Sequence, residues 1–186
     1  MTVMIWATVL AILLFGIVII FNGLVGRRQM VRNGWADIDV QLKRRADLIP
    51  RLVDTVKAYA SHERQLFEEV ASRRALAQEA GSDPAARGAA ESEFSRPVAR
   101  LMALAEAYPE LKANQNFLEL QKELADTEGK IEMARRFFNG AARELNTAAE
   151  TFPGNLIAGL FGFQQTAYFE IETADRAAPS VSMGQG

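Results

Sequence analysis

The chain contains one histidine, His62, and no cysteine. These two facts bound its chemistry before any element is placed. Without thiols there can be no disulfide, thiolate metal ligand or thiol nucleophile, and the lack of cysteine fits a reducing compartment. A single imidazole cannot supply the paired Glu-x-x-His motifs of a carboxylate-bridged dimetal centre in a helical bundle. Glu119, Glu123 and Asp126 line one helix but fall off its apolar stripe, so they read as a solvated face. Ser61 directly precedes His62 in YASHERQ. Neighbours on a helix point about 100° apart, which misplaces that hydroxyl for a Ser-His-Asp triad. His62 therefore reads as a surface group. No glycine-rich loop joins a strand to a helix, and Gly159-Leu160-Phe161-Gly162 resembles no phosphate-binding fingerprint. No catalytic residue, cofactor or metal is expected, and no enzyme activity.

Charge narrows the partners. Lys and Arg number 21 against 23 Asp and Glu, so no overall basic field calls for nucleic acid. The run Gln41 to Arg45, QLKRR, lacks interleaved aromatic residues and lies close to an apolar segment. Lipid headgroups suit it better than bases.

The elements that position these residues begin with a membrane span. Met1 through Gly26 carries no charged side chain, and Val3 to Phe21 is almost wholly apolar. About 20 such residues cross roughly 30 Å of hydrocarbon, and Trp6 suits an interface anchor. A cleaved signal peptide is the alternative, but Met1 to Met4 has no basic residue and FNGLVGRR follows the run without a small-x-small site. Residues 1–26 are thus expected to be a transmembrane anchor with a short N-terminus outside. Arg27, Arg28, Arg32, Lys43, Arg44 and Arg45 all follow the span. Positive charge beside a span stays cytoplasmic, which predicts a cytoplasmic C-terminal domain; contact with lipid phosphates on either side is the alternative.

The 186 residues leave room for about one domain after the anchor, expected over 27–163. Val31, Trp35, Ile38 and Leu42 are spaced four, three and four, so the anchor runs into a soluble helix. Asp47 is expected to cap a second helix, with Pro50 in its first turn and a stripe through Leu52, Val56, Tyr59, Leu66 and Val70 to about Glu79. Gly81 to Pro84 forms a loop. A third helix is expected from Pro84 to Tyr108, kinked or broken at Pro97 and ended by Pro109. The longest pattern runs from Asn116 to Phe152. There Phe117, Leu120, Leu124, Thr127, Ile131, Ala134, Phe138, Ala141, Leu145, Ala148 and Phe152 alternate by three and four. Short loops predict that this seam meets helices of its own chain in an antiparallel bundle; a dimeric coiled coil is the rival. Pro153-Gly154 stops the helix, NLIAGLFGF forms a small apolar helix, and residues 164–186 are expected to be a polar, mobile tail. The fold class is all-α.

Three segments in order resemble the signatures of the LemA family of bacterial membrane proteins. They are Arg32 to Tyr59 (RNGWADIDVQLKRRADLIPRLVDTVKAY), Ala105 to Asn139 (AEAYPELKANQNFLELQKELADTEGKIEMARRFFN) and Phe152 to Phe163 (FPGNLIAGLFGF). FNGLV after the anchor and APSV near the tail extend the resemblance over nearly the whole chain. It implies a bacterial inner-membrane protein with a cytoplasmic helical bundle and no established catalytic residues, and some relatives are associated with intracellular membrane compartments. Phe21, Phe138 and Leu145 stand where tyrosines are common in the family, and Gly140 replaces a common acidic residue.

The leading functional expectation is a membrane-anchored scaffold or adaptor. Its partners would be the bilayer and other proteins, a second copy included, with no nucleic acid or small-molecule substrate. The alternatives are membrane remodelling by the basic juxtamembrane helix with the NLIAGLFGF patch, and an unrecognised enzyme. The candidate partner or lipid surface comprises Arg27, Arg28, Asp37, Asp39, Lys43, Arg44, Arg45, Leu156, Ile157, Leu160 and Phe161. A bland account pairs Asp37 and Asp39 with Lys43 and Arg44 on an exposed helix face.

Overall fold

The computed structural model describes residues 1–171. Among them every regular element is a helix: α1 (Thr2–Lys57), α2 (Arg64–Glu79), α3 (Pro84–Glu106), α4 (Pro109–Lys112), α5 (Gln115–Glu150) and α6 (Gly154–Phe161). An apolar transmembrane helix leads into an antiparallel helical bundle, as the periodicities require. The chain forms two compact units, and α1 and α5 each contribute a stretch to both.

The first unit holds Met1–Leu42 and Thr127–Tyr168. From Val3 to Ile19 the apolar side chains of α1 are exposed, and none of the spanning window is buried in protein. In this stretch the Thr8 hydroxyl donates to the Met4 carbonyl at 2.9 Å, so it carries no unmet donor into hydrocarbon. Burial then becomes one-sided, at Leu24, Val31, Ile38 and Leu42. That face meets α5, where Ile131, Phe138, Ala141 and Leu145 are buried at the expected three-four register. The Trp35 and Phe138 ring centroids lie 5.4 Å apart. A Cβ on Gly34 would come within 3.1 Å of the Phe138 Cα, so glycine lets the two backbones close at this point. Past the end of α5 the contact on α1 has moved back toward the N-terminus, to Phe21, which meets Phe161 of α6 and Phe163 after it. The helices therefore run antiparallel.

Two expectations need correction in this unit. Phe152, placed on the buried seam, is 79% exposed, because α5 ends at Glu150 before the stripe reaches it. The start of the tail is also anchored, not loose. The Asn146 amide donates to the Thr166 carbonyl at 3.0 Å and accepts the Thr166 N–H at 2.8 Å, fixing the chain after α6 at this point. The tail residues beyond Ile171 lie outside the described residues.

The second unit holds Lys43–Asp126 and the described residues from Phe169 on. Its core gathers Ile49, Leu52 and Val56 of α1 with Phe67 and Val70 of α2, Phe94 and Leu101 of α3, Leu111 of α4, and Phe117, Leu120 and Leu124 of α5. Ion pairs Arg73–Glu93, at 3.6 Å, and Arg100–Glu69 set α2 antiparallel to α3. Asn114 joins two elements. Its amide donates to the Tyr59 hydroxyl at 3.1 Å, while its carbonyl oxygen accepts the Phe117 N–H at the head of α5. Phe169 and Ile171 are buried here, and the Glu170 carbonyl passes α3 so closely that a Cβ on Gly88 would fall 2.3 Å from it.

Here the helix boundaries differ from those expected. Asp47 caps nothing, because α1 continues unbroken past Pro50 to Lys57, and α2 starts afresh at Arg64. A proline inside a helix removes the bond to the carbonyl four residues back and leaves that oxygen without its usual donor. The carbonyl concerned is that of Ala46, and the Arg74 Nε of α2 donates to it at 2.6 Å. The missing bond is replaced from a neighbouring helix. Likewise α3 runs unbroken through Pro97 to Glu106. Its start is as expected, with the Asp83 carboxylate accepting the Ala86 N–H at 2.8 Å.

Melts of the full-length protein in detergent test the core. Phe138→Ala should cost about 3–5 kcal/mol, since a buried ring is lost to a cavity. His62→Ala should stay within about 0.5 kcal/mol, because His62 is exposed in the α1–α2 turn. Arg74→Met should cost about 1–3 kcal/mol by stranding the Ala46 carbonyl. A neutral Arg74→Met would show that water satisfies that oxygen instead.

Candidate functional site

The candidate surface residues separate into three groups. Of the juxtamembrane cations, Arg27 turns back along its helix, donating to the Gly23 carbonyl at 3.2 Å. Arg28 places its guanidinium 4.8 Å from the centre of the Phe163 ring, a cation–π distance. Asp37 and Asp39 are exposed on the next turns of α1. In the second unit Lys43 and Arg44 are exposed as well.

Arg45 requires correction. It was expected on a lipid or partner surface with Lys43 and Arg44, and it is instead 1% exposed. Its guanidinium pairs with the Glu91 carboxylate and donates to the Ser95 hydroxyl at 3.2 Å. It also stands 5.3 Å over the Phe94 ring. The other Glu91 oxygen accepts from the Arg87 Nε at 3.0 Å, and the Ser95 hydroxyl donates to the Glu91 carbonyl at 2.8 Å. Arg87 and Glu91 are both buried. A carboxylate thus sits between two guanidiniums inside the unit, bridging α1 to α3.

The register explains the error. The inward stripe of α1 runs through Val31, the partly buried Trp35, and the buried Ile38, Leu42, Arg45, Ile49, Leu52 and Val56, alternating by four and three. On α3, Arg87 and Glu91 fall on the stripe that continues through Phe94, Val98, Leu101 and Ala105. Opposite charges stand at core positions of two helices, and the register of both stripes is visible in the sequence.

The third group is α6. Ile157, expected on the surface patch, is instead 7% exposed and faces protein with Gly154 and Ala158. Leu156, Leu160 and Phe161 are exposed, at 63%, 75% and 49%. The first unit brings this helix beside the end of the span: Phe161 lies 4.8 Å from Phe21, and Phe163 5.9 Å from it. Arg28, Phe163, Phe21 and Phe161 form one continuous contact. Glu119 and Asp126 are exposed on α5, as expected for a solvated face.

Removing Glu91 takes away the carboxylate that sits between two buried cations. Glu91→Ala should therefore cost about 3–5 kcal/mol in detergent melts, since breaking a buried pair leaves uncompensated charge. Lys43→Ala and Arg44→Ala should each stay within about 0.5 kcal/mol. Equal effects from all three would remove the distinction between Arg45 and its neighbours.

The chain resembles several known proteins in sequence. Magnetosome protein MamQ of Magnetospirillum gryphiswaldense is 25% identical over 179 residues, covering 83% of this chain and 66% of the relative. Magnetosome protein MamQ 2 of Paramagnetospirillum magneticum is 23% identical with the same coverage. The chain thus spans slightly under two thirds of these magnetosome proteins. Protein LemA of Metamycoplasma hominis is 23% identical over 155 residues, covering 83% of this chain and 71% of that protein. The LemA family signature itself matches residues 34–183, so this membrane protein belongs to the LemA family.

Proposed function

We propose that this protein is a membrane-tethered helical scaffold. It holds its bundle at the cytoplasmic face of a bacterial inner membrane and binds other proteins there, a second copy of itself among them. The carrying observation is an apolar ridge on the part of α5 that lies in the first unit. Met133 and Phe137, one turn apart, are 57% and 51% exposed while Phe138 beside them is buried. Phe137 also overlies Gly34 of α1, where a Cβ would meet its ring at 3.0 Å. Exposed apolar groups on a rigid two-helix face are what a protein partner covers. Arg27, Arg28 and Arg32 after the span support the cytoplasmic orientation. The magnetosome proteins among the relatives support a role tied to a membrane. No enzymatic role is proposed.

A photo-crosslinking amino acid in place of Phe137, in the full-length protein in native membranes, tests the partner surface. Protein adducts should form and should be lost when Met133→Asp is added. Adducts to lipid alone, or protein adducts indifferent to Met133→Asp, would overturn the reading. In the same cells, a reporter active only in the cytoplasm should work when fused after Gly186, and one active only outside should not.

A further inference from the structure

We infer that α6 is a second membrane contact, lying along the same bilayer surface from which α1 emerges and immersing Leu156, Leu160 and Phe161 in lipid. The inference rests on the span and on α6, and it stands or falls separately from the partner surface on α5.

No side chain in α6 is charged, and Asn155 is the one polar side chain. Gly154, Ile157 and Ala158 face protein, while Leu156, Leu160 and Phe161 face outward. Phe152, just before the helix, is more exposed still. A helix that is apolar on its packed face and on its open face belongs either in a core or in lipid. A large open apolar face needs an occupant. Position along α1 supplies that occupant. The apolar side chains of the span are outward and unburied through Ile19, and the run closes at Phe21. Phe21 is the residue that touches α6 through Phe161. The open face of α6 is thus continuous with a surface already committed to hydrocarbon, at the level where the hydrocarbon ends.

Arg28 marks the polar side of that level. It follows Phe21 by seven residues, about 10 Å along the helix axis, and rests on Phe163 immediately after α6. Arg27 and Arg28 sit where lipid phosphates lie, with the rings of Phe21, Phe161 and Phe163 beneath them. Aromatic and leucine side chains below a cationic rim form the pattern by which short amphipathic helices lie in a membrane interface.

The absence of native cysteine makes the test direct. Single variants Leu160→Cys and Leu156→Cys of the full-length protein are labelled with a nitroxide. They are reconstituted in vesicles of phosphatidylethanolamine and phosphatidylglycerol. Relaxation by oxygen, which partitions into lipid, is compared with relaxation by a water-soluble nickel chelate. Ile17→Cys provides the lipid reference and Lys130→Cys the aqueous one. Both α6 labels should be oxygen-rich and nickel-poor, like the label at position 17. Labels that match position 130 would place α6 in water, and labels shielded from both agents would show that protein covers it. Either result overturns the inference. Circular dichroism of each labelled variant confirms that the helices are retained, and the two positions guard against a local disturbance at one.

Discussion

One helix has to satisfy two solvents. In hydrocarbon every side chain of α1 is best apolar and every backbone group must be bonded within the helix. In water only one stripe can be apolar, and that stripe must find a partner. The change takes place between Phe21 and Val31, where exposure on all sides gives way to burial on one side. Everything after it depends on this stripe staying in register. α5 packs on it in the first unit, and Arg45, Ile49, Leu52 and Val56 carry it into the core of the second. The helix itself is unbroken from Thr2 to Lys57.

The buried charges illustrate how burial and stability part company. Arg45, Glu91 and Arg87 lose their hydration, and their mutual attraction only partly offsets that loss. Leucines would hold α1 against α3 at least as well. The charges add direction: a guanidinium finds a carboxylate at one place on the facing helix, whereas an apolar stripe tolerates a slide by a turn. The contact of Arg45 with the Phe94 face and the Ser95 hydroxyl narrows that choice further. Such a device is costly in stability and useful for alignment.

Much of the fold was legible because helical bundles repeat one rule. The alternation from Phe117 to Leu145 located α5 and its buried face, and the uncharged run before Gly26 located the span. What escaped were the places where a distant residue supplies what the local sequence lacks. Pro50 reads as a helix start because local rules put proline in a first turn, and only the fold brings Arg74 to the Ala46 carbonyl. Gln164 to Ile171 reads as tail because its composition is polar, yet Asn146 and the glycine at position 88 give its backbone a seat. At the candidate surfaces, residue type does not reveal which side chains face inward. Arg45 and Ile157 face inward, while Arg44 and Leu156 just before them are exposed. Residue type identifies what a side chain tolerates; register decides what it meets.

The bond from Arg74 to Ala46 carries an implication for synthesis. Ala46 and Pro50 leave the ribosome well before α2 exists, so for an interval α1 lacks the donor that bridges its proline. During that interval the turn around Pro50 is short of one hydrogen bond. Pro50 lies near the C-terminal end of α1, so the membrane half of the helix does not wait for that donor. The last turns of α1 are thus completed by a helix synthesised after them.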